Sequence, residues 1–200
     1  MNDEIRSIEA EIETLTKKLS EARRRAAAEG VKDLALLARD GRPARLSDYF
    51  DGRADLLVVH NMGKRCVYCT LWADGFVSLF PHVNDRTAFV LVSEDEPSVL
   101  DAFARSRQWP FPVASMHGLD FARALGVAYD EVHQMPGASA FRREADGSIV
   151  RTGYAQFGPG DAFCPVWHLF DLLAGGARDW APKYSYQKAG ACGPSCCCNG

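Results

Sequence analysis

Residues 55–74 read Asp55-Leu56-Leu57-Val58-Val59-His60-Asn61-Met62-Gly63-Lys64-Arg65-Cys66-Val67-Tyr68-Cys69-Thr70-Leu71-Trp72-Ala73-Asp74. The apolar, β-branched run from Leu56 to His60 predicts a buried strand. A short polar turn containing Gly63 follows, and two cysteines two residues apart open a helix. A thiolate at a helix N-terminus feels the partial positive charge of unpaired backbone N–H groups, and Lys64 and Arg65 place full positive charges beside it. Cys66 is therefore the expected nucleophile. Cys69, one helical turn on, is placed to attack a mixed disulfide formed on Cys66 and release the bound partner. A Cys-x-x-Cys also serves as half of a zinc site, but a zinc ribbon needs a second such pair, and the sequence contains none.

Outward from this unit, strand and helix signals alternate as an α/β sheet requires. Upstream, residues 34–39 and 42–45 flank the Asp40-Gly41 turn as a small hairpin, and Leu46–Phe50 makes a short helical turn. Downstream, the cysteine helix is expected to end near Phe80, before Pro81. A buried strand over Thr87–Val92 leads to a helix opened by Ser93-Glu94-Asp95-Glu96-Pro97, with acidic residues and proline where a helix start favours them. A short strand at Val113–Ser115 and a helix over Leu119–Leu125, stopped by Gly126, come next. Ala138–Arg143 and Ser148–Tyr154 form a hairpin, and a last helix is expected over Asp161–Leu173.

At the N-terminal end, Ile5, Ile8, Ile12, Leu15, Leu19, Ala22 and Ala26 repeat at alternating spacings of three and four among charged residues. This is the narrow stripe of a coiled-coil seam, carried for about three heptads. It predicts either a homodimer through this helix or a helix lying across its own domain. Gly30 is expected to end it. The organisation read from the sequence is a heptad-patterned amphipathic helix over 1–29, an α/β domain over 30–180 and a flexible cysteine-rich tail over 181–200.

Forty-seven per cent hydrophobic residues and a net charge of -3 fit one globular domain with appendages. Interspersed charges leave no electrostatic footprint for nucleic acid. Neither a secretory signal nor an apolar run of about 18 residues is present, so a cytoplasmic protein without a membrane partner is expected. Seven cysteines in a reducing compartment point to redox or metal duty rather than structural disulfides.

The element order resembles the thioredoxin fold, with a central mixed sheet flanked by helices. The inserted strand and helix and the leading hairpin resemble its peroxiredoxin and thiol-disulfide oxidoreductase branch. Cys69-Thr70-Leu71-Trp72-Ala73-Asp74-Gly75-Phe76, Trp109-Pro110-Phe111-Pro112-Val113-Ala114-Ser115, Asp120-Phe121 with Leu125-Gly126-Val127, and Pro136-Gly137-Ala138-Ser139-Ala140-Phe141 look like the thioredoxin-like family catalogued as domain of unknown function 899. That resemblance spans roughly residues 1–175. It implies that Pro136 matches the proline that shapes the substrate groove beside the sulfurs. Trp72 either packs the cysteine helix or lines that groove. A peroxiredoxin's Pro-x-x-x-Thr-x-x-Cys signature is missing, which weakens a peroxidase reading.

Other residues carry two readings each. His60 either tunes Cys66 and accepts a proton or is a hydrogen-bonded core histidine. Asp74 either caps and packs the cysteine helix or takes the proton of Cys69. His133 lies close enough in sequence to Pro136 to approach the sulfurs from the opposite loop. Cys164 and His168, four apart on the last helix, are either two metal ligands or a buried thiol and a hydrogen-bonded histidine. In the tail, Cys192, Cys196, Cys197 and Cys198 suit a soft ion such as Cu(I), Zn(II), Hg(II) or As(III), or a dithiol that exchanges with Cys66 and Cys69. The sequence thus points first to a thiol-disulfide oxidoreductase. It would act on protein or small-molecule disulfides with a thiol reductant and need no cofactor. A soft-metal binding protein and a peroxiredoxin-like peroxidase are the alternatives.

Overall fold

The computed structural model of the chain describes residues 2–130 and 133–186. Its centre is one eight-stranded mixed sheet. The strands are β1 (Glu29–Val31), β2 (Ala35–Ala38), β3 (Pro43–Arg45), β4 (Asp55–Asn61), β5 (Ala88–Ser93), β6 (Val113–Ser115), β7 (Gly137–Arg143) and β8 (Ile149–Gln156), in the order β1-β8-β7-β4-β5-β6-β2-β3. β4, β5 and β6 run parallel, and every other neighbour is antiparallel. The helices are α1 (Asp3–Arg25), α2 (Val67–Arg86), α3 (Pro97–Ser106), α4 (Phe121–Ala124) and α5 (Pro165–Phe170).

The pleat divides the core. On β4 and β5, Leu56, Val58, Ala88, Val90 and Val92 face one side, where Leu46 and Phe50 of a 3-10 turn and Phe121 of α4 cover them. Val59, Phe89 and Leu91 face the other, under Trp72 of α2, Leu100 of α3 and Trp167 of α5. Successive side chains of a strand point to opposite faces, so both faces of this parallel centre are buried and its strands read as continuous apolar runs.

Several boundaries differ from the sequence expectation. α2 passes through Pro81 to Arg86 rather than stopping near Phe80. A proline costs the helix one hydrogen bond, but Phe80 and Val83 on either side pack into the core beside Phe89 and Phe111, and that burial carries the helix past it. The last helix is only Pro165–Phe170. The Asp161 carboxylate accepts from the N–H groups of Gly158, Phe163 and Cys164, which folds 158–164 into a turn and leaves Pro165 as the first helical residue. α4 is trimmed to four residues. Gly30 does not end α1, which stops at Arg25; it lies inside β1, a strand the sequence pattern did not reveal.

α1 is capped by the Asn2 side chain, which accepts from Glu4 N–H at 3.0 Å, with Asp3 and Glu4 in its first turn and Arg23, Arg24 and Arg25 in its last, the charge order that suits a helix dipole. None of its residues is buried. The alternative in which it lies across its own domain is not the one adopted. No helix among the described residues is long and apolar enough to cross a membrane.

Candidate functional site

The loop between β4 and α2 is held from both sides. Asn61 accepts from Gly63 N–H through Oδ1 at 2.8 Å and donates through Nδ2 to the Cys69 carbonyl at 3.4 Å. Asp95 accepts from Lys64 N–H at 2.6 Å and from the Ser93 hydroxyl at 3.1 Å. Gly63 sits at φ 89°, and a Cβ there would stand 2.9–3.0 Å from the Asp95 carboxyl group. Glycine alone fits both demands.

This loop delivers Cys66 to the N-cap of α2, where its sulfur accepts from Cys69 N–H at 3.1 Å. The Cys66 thiol is pulled down to about 7. The largest cause is a hydrogen bond from the Cys69 thiol; burial opposes it, and the backbone N–H groups of Cys69 and Tyr68 add to the lowering. Cys69 is buried, and its pKa is pushed up, first by the proton it holds toward Cys66, then by burial. The two thiols are thus unlike: one half-exposed and near half-ionised at neutral pH, one covered and protonated. Lys64 and Arg65, expected to lower Cys66, are exposed at the surface, and the leading contributions come from hydrogen-bond donors instead.

His60 is turned away from this site by the pleat. It shares the Val58 face of β4, opposite α2, whereas Asn61 shares the Val59 face that meets α2. His60 is fully buried, with Nδ1 3.2 Å from Gln134 Oε1 and Nε2 2.8 Å from Ser139 Oγ. Gln134 Nε2 donates to the carbonyls of Asn61 (2.8 Å) and Val92 (3.0 Å), which fixes its amide with Oε1 toward His60. His60 therefore carries its proton on Nδ1 and accepts from Ser139 on Nε2. Burial pushes its pKa down to about 4, so the ring is neutral and structural.

Sequence reasoning missed Gln134 and Glu94. Gln134, with no exposed surface, ties the ends of β4 and β5 together. Its own N–H donates to Glu94 Oε1 at 2.6 Å, and His133 Nδ1 lies 2.9 Å from Glu94 Oε2. Burial raises the Glu94 carboxyl above its ordinary value, against those two bonds, and its charge in turn opposes ionisation of both Cys66 and Cys69. The available signal was position: Glu94 directly follows β5, and the ends of parallel strands gather ligand and catalytic groups. A groove of about 890 Å³ opens beside these residues, lined by Met62, Lys64, Arg65, Glu94, His117 and His133 among others.

Trp72 and Asp74 lie within the packing of α2. Trp72 is buried, stacks on Phe157 at 6.1 Å and donates to Asp161 Oδ2 at 3.0 Å. Asp74 accepts from Trp109 Nε1 at 2.9 Å and forms a two-pronged pair with Arg107. Arg107 also donates to the Tyr184 carbonyl at 2.6 Å, and the Tyr184 ring meets Phe103 of α3 edge-on at 6.4 Å. Pro136 immediately precedes β7 and stands across from the Asn61 end of β4 by the pairing of Gly137 with His60; no peptide bond among the described residues is cis. Cys164 is buried at the N-cap of α5 rather than within it, and His168 is exposed, 3.0 Å from the Asp161 carbonyl. The expected shared helix face for these two is absent. Among the described residues no group of three or more His, Cys, Asp or Glu side chains is arranged to hold a metal ion. Cys192, Cys196, Cys197 and Cys198 lie outside the described residues.

The sequence matches the model of a family described as bacterial protein of unknown function (DUF899) over residues 3–189. No curated protein matches it. Among solved structures it is similar to a peroxidoxin, BcpB, from Mycobacterium tuberculosis, at 22% identity and TM-score 0.53, covering 64% of this chain and 84% of that one. It is also similar to peroxiredoxin Q from Xanthomonas campestris, at 16% identity and TM-score 0.53, covering 63% and 85%. An uncharacterised conserved protein from Geobacillus kaustophilus matches at 19% identity and TM-score 0.51, covering 68% and 74%. The fold is thioredoxin-like, as the sequence resemblance implied.

Proposed function

Because the chain belongs to the DUF899 family, whose description assigns no function, we propose one from the site itself: thiol-disulfide exchange, with Cys66 as nucleophile and Cys69 as resolving cysteine. The observation that carries this reading is the Cys66 sulfur at the N-cap of α2, hydrogen-bonded by Cys69 and lowered to about 7. The Cys66 thiolate attacks one sulfur of a substrate disulfide, forming a mixed disulfide and releasing the other sulfur as a thiolate. Cys69 then gives up its proton and attacks the Cys66 sulfur. The products are a Cys66–Cys69 disulfide and the second substrate thiolate, so two electrons have passed from the pair to the substrate. An external dithiol returns them. Glu94 is the group whose place and raised pKa suit it to receive the Cys69 proton, with His133 and the Gln134 N–H positioning its carboxyl group.

Replacing Cys69 with serine tests the assignment. After exposure to oxidised glutathione, non-reducing mass spectrometry should find glutathione retained on Cys66 in the variant and a Cys66–Cys69 disulfide in the wild type. An unmodified Cys66 in both proteins sinks the reading.

Two alternatives have their own support. A peroxidase reading draws on the similarity to structures titled peroxiredoxins. It requires that peroxide alone convert Cys66 of the Cys69→Ser protein to a sulfenic acid at a catalytic rate. The soft-metal reading rests on the spacing of Cys192, Cys196, Cys197 and Cys198. Elemental analysis of the whole protein, with and without residues 190–200, decides it: stoichiometric copper, zinc, mercury or arsenic lost with those residues favours metal handling.

A further inference from the structure

We propose that α1 is the interface of a homodimer, pairing with α1 of a second copy in the antiparallel direction. The apolar stripe is uncovered: Ile5, Ile8, Ile12, Leu15 and Leu19 are each 48–62% exposed, in a 23-residue helix none of whose residues is buried. A row of five large aliphatic side chains along one line of a helix about 34 Å long is an association surface. Its repeat of seven residues selects another helix of the same repeat as the occupant.

The charges flanking the stripe select the direction. Taking Ile5, Ile12 and Leu19 as one seam position and Ile8, Leu15 and Ala22 as the other, the flanks are Glu4, Glu11, Lys18 and Arg25 on one side and Glu9, Thr16 and Arg23 on the other. In a parallel pair each residue of the first flank faces the residue five later on the second helix. Glu4 would meet Glu9 and Lys18 would meet Arg23, each twice, all of like sign. In an antiparallel pair with Ile12 set against Leu15, the first flank faces itself in reverse. Glu4 then meets Arg25 and Glu11 meets Lys18, each twice, all of opposite sign. Among the described residues Arg25 pairs with Glu21 of its own helix through a 3.7 Å exposed contact, which exchange can replace at little cost.

Side-chain volume agrees. The antiparallel register sets Ile5 against Ala22, Ile8 against Leu19 and Ile12 against Leu15, so each layer holds at least one large residue. A parallel register stacks Ala22 on Ala22 and Ala26 on Ala26 and leaves one end of the seam hollow.

The test is sedimentation equilibrium on the reduced full chain and three variants of exposed α1 residues, with the rate of Cys66 alkylation as a check that the domain is intact. The wild type should be a dimer, and Ile12→Asp a monomer. Lys18→Glu should weaken the dimer about tenfold, since it sets a carboxylate against Glu11 in each of the two symmetric pairs; adding Glu11→Lys should restore it. A monomeric wild type overturns the proposal, and so does a dimer that survives Ile12→Asp. Tightening by Lys18→Glu, which a parallel pair would give through Arg23, overturns the antiparallel direction.

Discussion

Cys66 and His60 show two opposite ways in which folding sets a proton affinity. At Cys66, donors aimed at the sulfur outweigh burial and stabilise the thiolate. Its alkylation rate should rise through a midpoint near pH 7 and fall away below it as the thiol reforms. Cys69→Ala removes the largest stabilising contribution and should move that midpoint up toward the ordinary thiol range; iodoacetamide kinetics against pH read both values. At His60, burial outweighs its hydrogen bond to Gln134 and the ring resists its proton down to about 4. The unfolded chain takes up that proton as pH falls through the ordinary histidine value of about 6.5. The His60 contribution is therefore fully present above 6.5 and is lost between 6.5 and 4, at about 1.4 kcal/mol per pH unit. Denaturant unfolding at a series of pH values should show this slope, and His60→Asn should remove about one proton's worth of it. The parity of β4 contained the decisive information: Asn61, not His60, falls on the helix side. Glu94 was harder to read, because a carboxylate just past a strand looks like an ordinary helix opening until Gln134, 40 residues on, is seen to fold back on it.

Between β4 and α2 the backbone is fixed by contacts that no side chain tolerates at Gly63. Gly63→Ala forces a positive φ on a residue with a Cβ and drives that atom into Asp95. It should cost about 1–3 kcal/mol in unfolding free energy and slow Cys66 alkylation, because the N-cap is displaced with the loop. Asp74 belongs to the same helix but to a different task. Its removal in Asp74→Ala takes the acceptor from Trp109 Nε1 and from Nε and Nη2 of Arg107, which keeps its bond to the Tyr184 carbonyl, and should cost about 1–3 kcal/mol, with Cys66 alkylation little changed. Chemical denaturation beside alkylation rates separates the two effects. The elements themselves were legible wherever pattern and local chemistry agreed, as in β4, β5, the β7–β8 hairpin and the proline-led start of α3. Helix ends were not, because the rules for them are local and the deciding forces were not: packing of Phe80 and Val83 carried α2 through Pro81, and the Asp161 carboxylate replaced the first turn of the expected last helix. β1 escaped notice since three residues carry no periodicity, and only its pairing with β8 makes it a strand.

Across the whole molecule, the helix that carries the most regular pattern contributes nothing to the domain core. Removing residues 2–25 should leave the midpoint of thermal unfolding, extrapolated to low protein concentration, within a few degrees of the full chain. The concentration dependence of that midpoint should vanish, as it must when an assembling segment is lost; scanning calorimetry at several concentrations measures both. The sheet bears on the same question from its margins. Its outermost strands, β1 and β3, are three residues each, and β3 starts with Pro43, which has no N–H to offer a further strand, and ends with Arg45. Edges this short, one of them closed by proline and charge, are poor templates for strand addition by another chain. Growth by edge-to-edge stacking, the open-ended route toward fibrils, is thereby disfavoured, and the pairing proposed for α1 would be self-limiting, a closed pair of rods.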